Sequence, residues 1–231
     1  KNLYKSFGNI NAVSDISISL NVGEVIGFLG PNGAGKSTTM KMLTGFLEAD
    51  SGSIEIKKID LSKDPINAKS IIGYLPEGAP SYSDMTVKSF LYFVGKMRGL
   101  KDELLEKRLE IMLKDINLTE VQNQIIETLS KGYKRRVGIA QALIHDPDIL
   151  ILDEPTDGLD PNQKFEMRKL FKSISKNNGI IISTHILEEV EAVCSRTIII
   201  SSGKVLLNKE TKDILKNKKE NLDSIFRKIT K

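Results

Sequence analysis

Gly30-Pro31-Asn32-Gly33-Ala34-Gly35-Lys36-Ser37-Thr38 is the stretch on which the reading of this chain turns. The apolar run Val25-Ile26-Gly27-Phe28-Leu29 leads into it, and a helix-like run, Thr39 to Leu43, leaves it. A buried strand, a glycine-rich loop and a helix in that order form a phosphate cradle, the P-loop. Its glycines let the backbone turn sharply, so successive N–H groups point inward as a nest for oxygens. The helix that follows adds the positive end of its dipole. Residues Gly30, Pro31, Asn32, Gly33, Ala34, Gly35 and Thr38 make the wrap. Lys36 is placed to reach the β- and γ-phosphates, and the Ser37 hydroxyl to ligate Mg²⁺.

A phosphate cradle alone does not separate a kinase, a GTPase and a motor. Further along, Ile149-Leu150-Ile151-Leu152-Asp153-Glu154 is a buried strand that ends in two adjacent carboxylates. Side chains alternate along an extended segment, so the two acids face differently. Asp153 suits the Mg²⁺ shell, and Glu154 suits polarising an attacking water.

Between and around these stretches the pattern alternates. Ile16 to Leu20 alternates at period two and predicts a half-buried strand, as does Ser53 to Ile56, and Ile71 to Leu75 is a further strand candidate stopped by Pro76. From Thr86 the texture is helical. Thr86 caps Val87 to Arg98, with Gly99 as the stop. Asp102 caps Glu103 to Ile116, with Leu104, Leu105, Leu109, Met112 and Leu113 as one apolar stripe. Ser130 opens Lys131 to Ile144. Asp160-Pro161 starts a helix running to about Asn177. Ile180 to Thr184 is a buried strand, and Thr197–Ser201 with Lys204–Asn208 form a hairpin on Ser202-Gly203. Strands alternating with helices predict a parallel sheet with ligand at its carboxyl edge.

Leu129-Ser130-Lys131-Gly132-Tyr133, running into a helix just before the Asp-Glu strand, resembles the signature of the ATP-binding cassette family. Lys5-Ser6-Phe7-Gly8 is similar to the family's aromatic loop, with Phe7 set to stack on adenine and Val13 nearby. Tyr74-Leu75-Pro76-Glu77 resembles the Q-loop, Asp157-Gly158-Leu159-Asp160 the D-loop, and Thr184-His185 the switch histidine. The resemblance implies a P-loop NTPase of α/β class: a RecA-like, mostly parallel core, an antiparallel β subdomain and an inserted helical lobe. It implies one cassette, with residues 1–81 and 146–231 as the catalytic lobe and 82–145 as the signature lobe. It also implies hydrolysis of MgATP with Glu154, His185 and Lys36 as catalytic residues. Ser37, Asp153 and Glu77 would face the metal. Ser130, Gly132 and Asp160 would meet the nucleotide of a second cassette. The implied partners are that cassette, identical or not, and a separate transmembrane permease docked around Gly78 to Ser89, which would hold the protein at the cytoplasmic face of the membrane. Glu77 stands where glutamine is usual, and Lys131 and Tyr133 where glycine and glutamine are usual. Together with the tail Leu222 to Thr230, these variants resemble the cassettes of multicomponent exporters.

Composition sets the outer limits. The chain has 231 residues, 40% of them hydrophobic and 28% charged, enough for a full core and ordinary for a globular protein. A net charge of +4 is mild. The lysine-rich stretch Lys209 to Lys219 reads as a solvated helix face rather than a nucleic-acid surface. One cysteine, Cys194, excludes an internal disulfide and reads as a buried structural thiol, and His145 reads as structural. No apolar run reaches the ~20 residues of a membrane span and no signal peptide opens the chain, so a cytosolic setting is expected, with a few residues preceding Lys1. The alternatives are a cassette ATPase outside transport, as in iron–sulfur assembly, and a GTP switch. The latter would need an Asn-Lys-x-Asp loop, and Asn217-Lys218-Lys219-Glu220 lacks the aspartate.

Overall fold

The computed structural model describes residues 1–78, 81–216 and 221–230. In chain order the strands are β1 (Leu3–Phe7), β2 (Ile10–Ile16), β3 (Val25–Leu29), β4 (Glu55–Ile56), β5 (Ile59–Asp60), β6 (Ile72–Leu75), β7 (Ile149–Asp153), β8 (Gly179–Thr184), β9 (Arg196–Ser201) and β10 (Lys204–Glu210). The helices are α1 (Lys36–Leu43), α2 (Pro65–Ser70), α3 (Val87–Met97), α4 (Asp102–Asp115), α5 (Lys131–Leu143), α6 (Pro161–Ile174), α7 (Leu187–Val193), α8 (Thr211–Leu215) and α9 (Leu222–Ile229).

The main sheet has the order β10-β9-β3-β8-β7-β6, parallel except for the β9–β10 hairpin. Alternation along its central strands divides the core. Val25, Leu29, Leu150, Leu152, Ile180 and Ile182 enter one apolar cluster, while Ile26, Phe28, Ile151 and Ile181 enter the other. Both faces are covered, which is why these strands read as unbroken apolar runs. Each such side chain contributes roughly 1.5–3 kcal/mol by leaving water. The antiparallel pairs β1–β2 and β4–β5 stand apart from this sheet. Helices α3, α4 and α5 pack on one another, and α5 rests on β6.

Local chemistry explains most boundaries. Thr86 Oγ1 accepts from Ser89 N at 3.2 Å, Ser130 Oγ from Tyr133 N at 3.4 Å, and Asp160 Oδ1 from Gln163 N at 2.9 Å, each closing a helix start. Ser202 and Gly203 both take positive φ, 48° and 74°, as the tight hairpin turn requires.

Four expectations are corrected. The strand near Ile16 lies before it, not after: β1 begins at Leu3, which pairs with Ile16, so residues 17–20 have no partner strand. Leu104 is 51% exposed, because it sits about 100° around α4 from the buried line Leu105, Leu109 and Leu113. Lys101, not Asp102, holds the cap position of α4, with no side-chain cap hydrogen bond. The Asp102 carboxylate is taken by Tyr92 Oη at 2.6 Å and Lys96 Nζ at 2.8 Å. The lysine-rich stretch is not one helix face, since Lys209 belongs to β10 and α8 ends at Leu215. Asn217 to Glu220, the failed GTP-type loop, lies outside the described residues.

Candidate nucleotide site

The parallel register brings the carboxyl ends of β3, β8, β7 and β6 to one edge: Leu29 pairs with Thr184, Asp153 with Ser183, and Leu75 with Leu152. That edge carries the glycine-rich loop, both acids, His185 and Glu77.

Gly35 closes the loop against α1 with φ 100°, a backbone state L side chains rarely adopt. A Cβ there would lie 2.3 Å from the carbonyl oxygen of Ala12 in β2. The loop is thus pressed against the β1–β2 hairpin. Ser37 and Thr38 are partly exposed on the first turn of α1, and Asn32 and Gly33 are exposed. The Lys36 ammonium is buried, donating to the carbonyls of Gly30 at 2.8 Å and Pro31 at 3.2 Å.

Asp153 is 1% exposed at the end of β7. Its Oδ1 accepts from Ser183 Oγ, while its Oδ2 is buried with no hydrogen-bond partner. Glu154 follows with φ 48°, a left-handed state uncommon outside glycine. Its N–H donates to the Ser183 carbonyl at 3.1 Å, and Ser183 Oγ lies 3.2 Å from the same N–H. The carboxylate then has two neighbours, Lys36 Nζ at 3.5 Å from Oε1 and His185 Nδ1 at 3.0 Å from Oε2. Burial raises the Glu154 pKa above the ordinary value, against the pull of the His185 and Lys36 charges, and Asp153 pushes it further up. A raised carboxyl in a group of this kind suits a proton acceptor working near neutral pH.

The orphaned, buried Asp153 oxygen and the partly exposed Ser37 hydroxyl are donors of the kind a hard, oxygen-seeking cation such as Mg²⁺ takes, filling the rest of its shell with water and phosphate. Glu77 is exposed just beyond β6 on the same edge. Tyr74, beneath it, has its pKa raised to about 12, first by burial and then by the charges of Asp153 and Glu77.

Ser130, Gly132 and Asp160 form a second group. Gly132 faces the Gln163 side chain, whose Oε1 would lie 2.6 Å from an added Cβ, and Asp160 caps the helix carrying Gln163. Among the described residues, no hydrogen bond or ion pair joins this group to Lys36, Glu154 or His185. Phe7 is 49% exposed at the end of β1, with Lys5 Nζ 5.8 Å from its ring centre. Val13 pairs with Lys5 across β1–β2 and is 1% exposed, its side chain packed in the core. His145 and Cys194 are structural, as their settings imply. His145 Nε2 pairs with the Ile72 carbonyl at 3.0 Å, burial holds the ring's pKa down at about 4, and burial pushes the Cys194 thiol up. Sequence reasoning gave Ser183, Thr156 and Gln163 no role and quoted Thr184 only beside His185. Ser183 and Thr184 carried a signal, polar residues closing an apolar strand.

The profile of the family described as "ABC transporter" matches residues 13–157. This chain belongs to the ABC transporter family, as an ATP-binding domain. It is 41% identical over 89% of its length to the linearmycin resistance ATP-binding protein LnrL of Bacillus subtilis (strain 168), covering 67% of that protein. It is 34% identical over 94% of its length to the lipopolysaccharide export system ATP-binding protein LptB of Escherichia coli (strain K12), covering 92% of it. A solved structure of an ATP-binding subunit of an ABC transporter superposes with a TM-score of 0.89 at 30% identity, over 100% of this chain and 98% of the other. That fold is the one expected: a P-loop NTPase with a mostly parallel sheet.

Proposed function

We propose that this chain hydrolyses ATP to ADP and phosphate and thereby drives a separate membrane-embedded permease, in the direction of export. The observation that carries the chemistry is Glu154: one carboxylate within 3.5 Å of the P-loop lysine and 3.0 Å of His185. Glu154 takes a proton from the attacking water, and His185 fixes the carboxylate and faces the γ-phosphate. Lys36, now held by loop carbonyls and Glu154, turns to the β- and γ-phosphates. Phe7 stacks on the adenine. Ser37 and Asp153 hold Mg²⁺, with Glu77 at its margin, and the ion supplies neutralisation of phosphate charge.

Among the described residues no hydrogen bond or ion pair joins Ser130, Gly132 or Asp160 to Lys36, which supports a second cassette completing each site, the α5 dipole and Ser130 hydroxyl meeting the γ-phosphate in trans. Docking of the permease around Gly78 to Ser89 is supported by Tyr82, 57% exposed, whose ring sits edge-on to Phe90 and Phe93. Ala79 and Pro80 of that segment lie outside the described residues. No helix among the described residues is long and apolar enough to cross a membrane. Residues 82–145 act as the signature lobe and the remainder as the catalytic lobe. Export is supported by the name of the similar LptB protein, the ATP-binding protein of a lipopolysaccharide export system.

The test is steady-state phosphate release from MgATP, with light scattering of Glu154→Gln. We expect hydrolysis that rises with protein concentration and an ATP-dependent dimer that Ser130→Arg abolishes. Absence of hydrolysis, alone and with the copurified membrane partner, overturns the reading.

A further inference from the structure

Behind the Glu154–His185 pair lies a second buried acid that the mechanism has not used. Glu189, in α7, is 5% exposed. Its two oxygens serve different segments: Oε1 accepts from Thr156 Oγ1, and Oε2 accepts from Thr184 Oγ1 at 3.2 Å. Thr156 lies two residues after Glu154, and Thr184 immediately precedes His185. Thr184 Oγ1 also accepts from Ile186 N at 3.0 Å, so the turn on both sides of His185 is tied to the same carboxylate. Lys164 Nζ, from α6, approaches Oε1 at 4.0 Å. Arg168 and Cys194 line the same small enclosure.

A buried carboxylate is costly, and apolar packing at such a place is commonly as stable or more so. An acid whose two oxygens each take one hydroxyl from a different catalytic segment fixes the distance between those segments. Glu154 needs such support: its φ of 48° is a left-handed state that persists only where the surroundings over-determine it. Ser183 holds its N–H from one side, and Thr156 follows it on the other. We propose that Glu189 is a positioning residue for hydrolysis, clamping the segment after Glu154 to the segment before His185 so that the pair stays in hydrogen-bond contact. This rests on the ATPase reading above.

The experiment is MgATP kinetics of Glu189→Gln, Thr156→Val, Thr184→Val and the Glu189→Gln/Thr156→Val double variant, beside wild type. A misplaced reacting group costs up to about a hundredfold in rate. Glu189→Gln should therefore lower kcat about ten- to a hundredfold while the KM for ATP stays within about twofold, since the P-loop is untouched. The double variant should be no slower than the slower single, because the groups act as one unit. Wild-type hydrolysis with a Glu189→Gln kcat within twofold of it overturns the inference, and so does a fall in kcat matched by a rise in KM, or losses that multiply. If Glu189→Gln does not fold, Thr156→Val and Thr184→Val, which leave the acid in place, carry the same test. A wild type that never hydrolyses MgATP sinks the ATPase reading instead.

Discussion

Nδ1 of His185 lies 3.0 Å from Oε2 of Glu154, although the two residues reach that point from the ends of different strands, β8 and β7. The contact depends on register: Asp153 pairs with Ser183, so Glu154, one residue on, and His185, two residues on, leave the sheet at the same edge. Oε1 of the same carboxylate faces Lys36, and one acid joins three segments that are far apart along the chain.

Glu154→Gln keeps the shape and removes the proton acceptor. Turnover should fall about 10²–10⁴-fold, the usual worth of a positioned base, while MgATP still binds. Single-turnover phosphate release and nucleotide titration check both halves, and steady-state turnover within threefold of wild type contradicts the assignment.

The same substitution has a stability consequence with a definite sign. Glu154 has a folded pKa above its unfolded value, so between those values the native state holds the extra proton, and stability falls as pH rises through that window. At pH 7 the nucleotide-free Glu154→Gln protein should melt above wild type, and the gap should close as pH falls toward 4.5. Calorimetry across pH 4.5–7 reads this directly. A lower melting temperature at pH 7 refutes it.

Lys36→Ala removes the ammonium proposed to neutralise phosphate charge, and Asp153→Asn removes the carboxylate with the orphaned oxygen. Both should abolish hydrolysis. Lys36→Ala should also weaken nucleotide binding, whereas Asp153→Asn should chiefly lose the Mg²⁺ dependence of binding. Isothermal titration with and without Mg²⁺ separates the two. Unchanged MgATP affinity in Lys36→Ala argues against direct contact.

Gly35→Ala tests the fit between the loop and the β1–β2 hairpin. A methyl at φ 100° and 2.3 Å from the Ala12 carbonyl oxygen has no room. The backbone state alone costs about 1–2 kcal/mol for an L residue, and the overlap adds to it. We expect a loss of at least about 2 kcal/mol in denaturant midpoint measurements together with loss of nucleotide binding. A fully stable, binding-competent variant would show that the hairpin yields.

His145 makes the protein acid-sensitive. Its folded pKa of about 4 lies below the ordinary 6.5, so the neutral ring is favoured by folding. The contribution is complete above pH 6.5 and is lost as pH falls from there toward 4, by about 2 kcal/mol once partial exposure is allowed for. His145→Gln should be less stable at pH 7 and have a flatter stability profile between pH 6.5 and 4. A profile parallel to wild type would remove His145 as the cause.

The sequence by itself determined whatever is local. Val25 to Leu29 is apolar throughout because both faces of β3 are covered, and Thr86, Ser130 and Asp160 cap helices because a short polar side chain can reach an N–H within its own turn. The glycine-rich loop and the Asp153-Glu154 strand end were legible for the same reason, as short runs whose residue types have few other uses. Pairing decided the rest. Alternation marked residues 16–20 as a strand, yet the partner strand β1 starts opposite Ile16. Periodicity admitted Leu104 to the α4 stripe, but the packing surface was too narrow to cover it. Glu189 looked like any acid on a short helix. Only the packing of α7 against the ends of β7 and β8 brings its two oxygens to Thr156 and Thr184, because contacts between residues far apart in sequence are set by register and layer order, which no local pattern encodes.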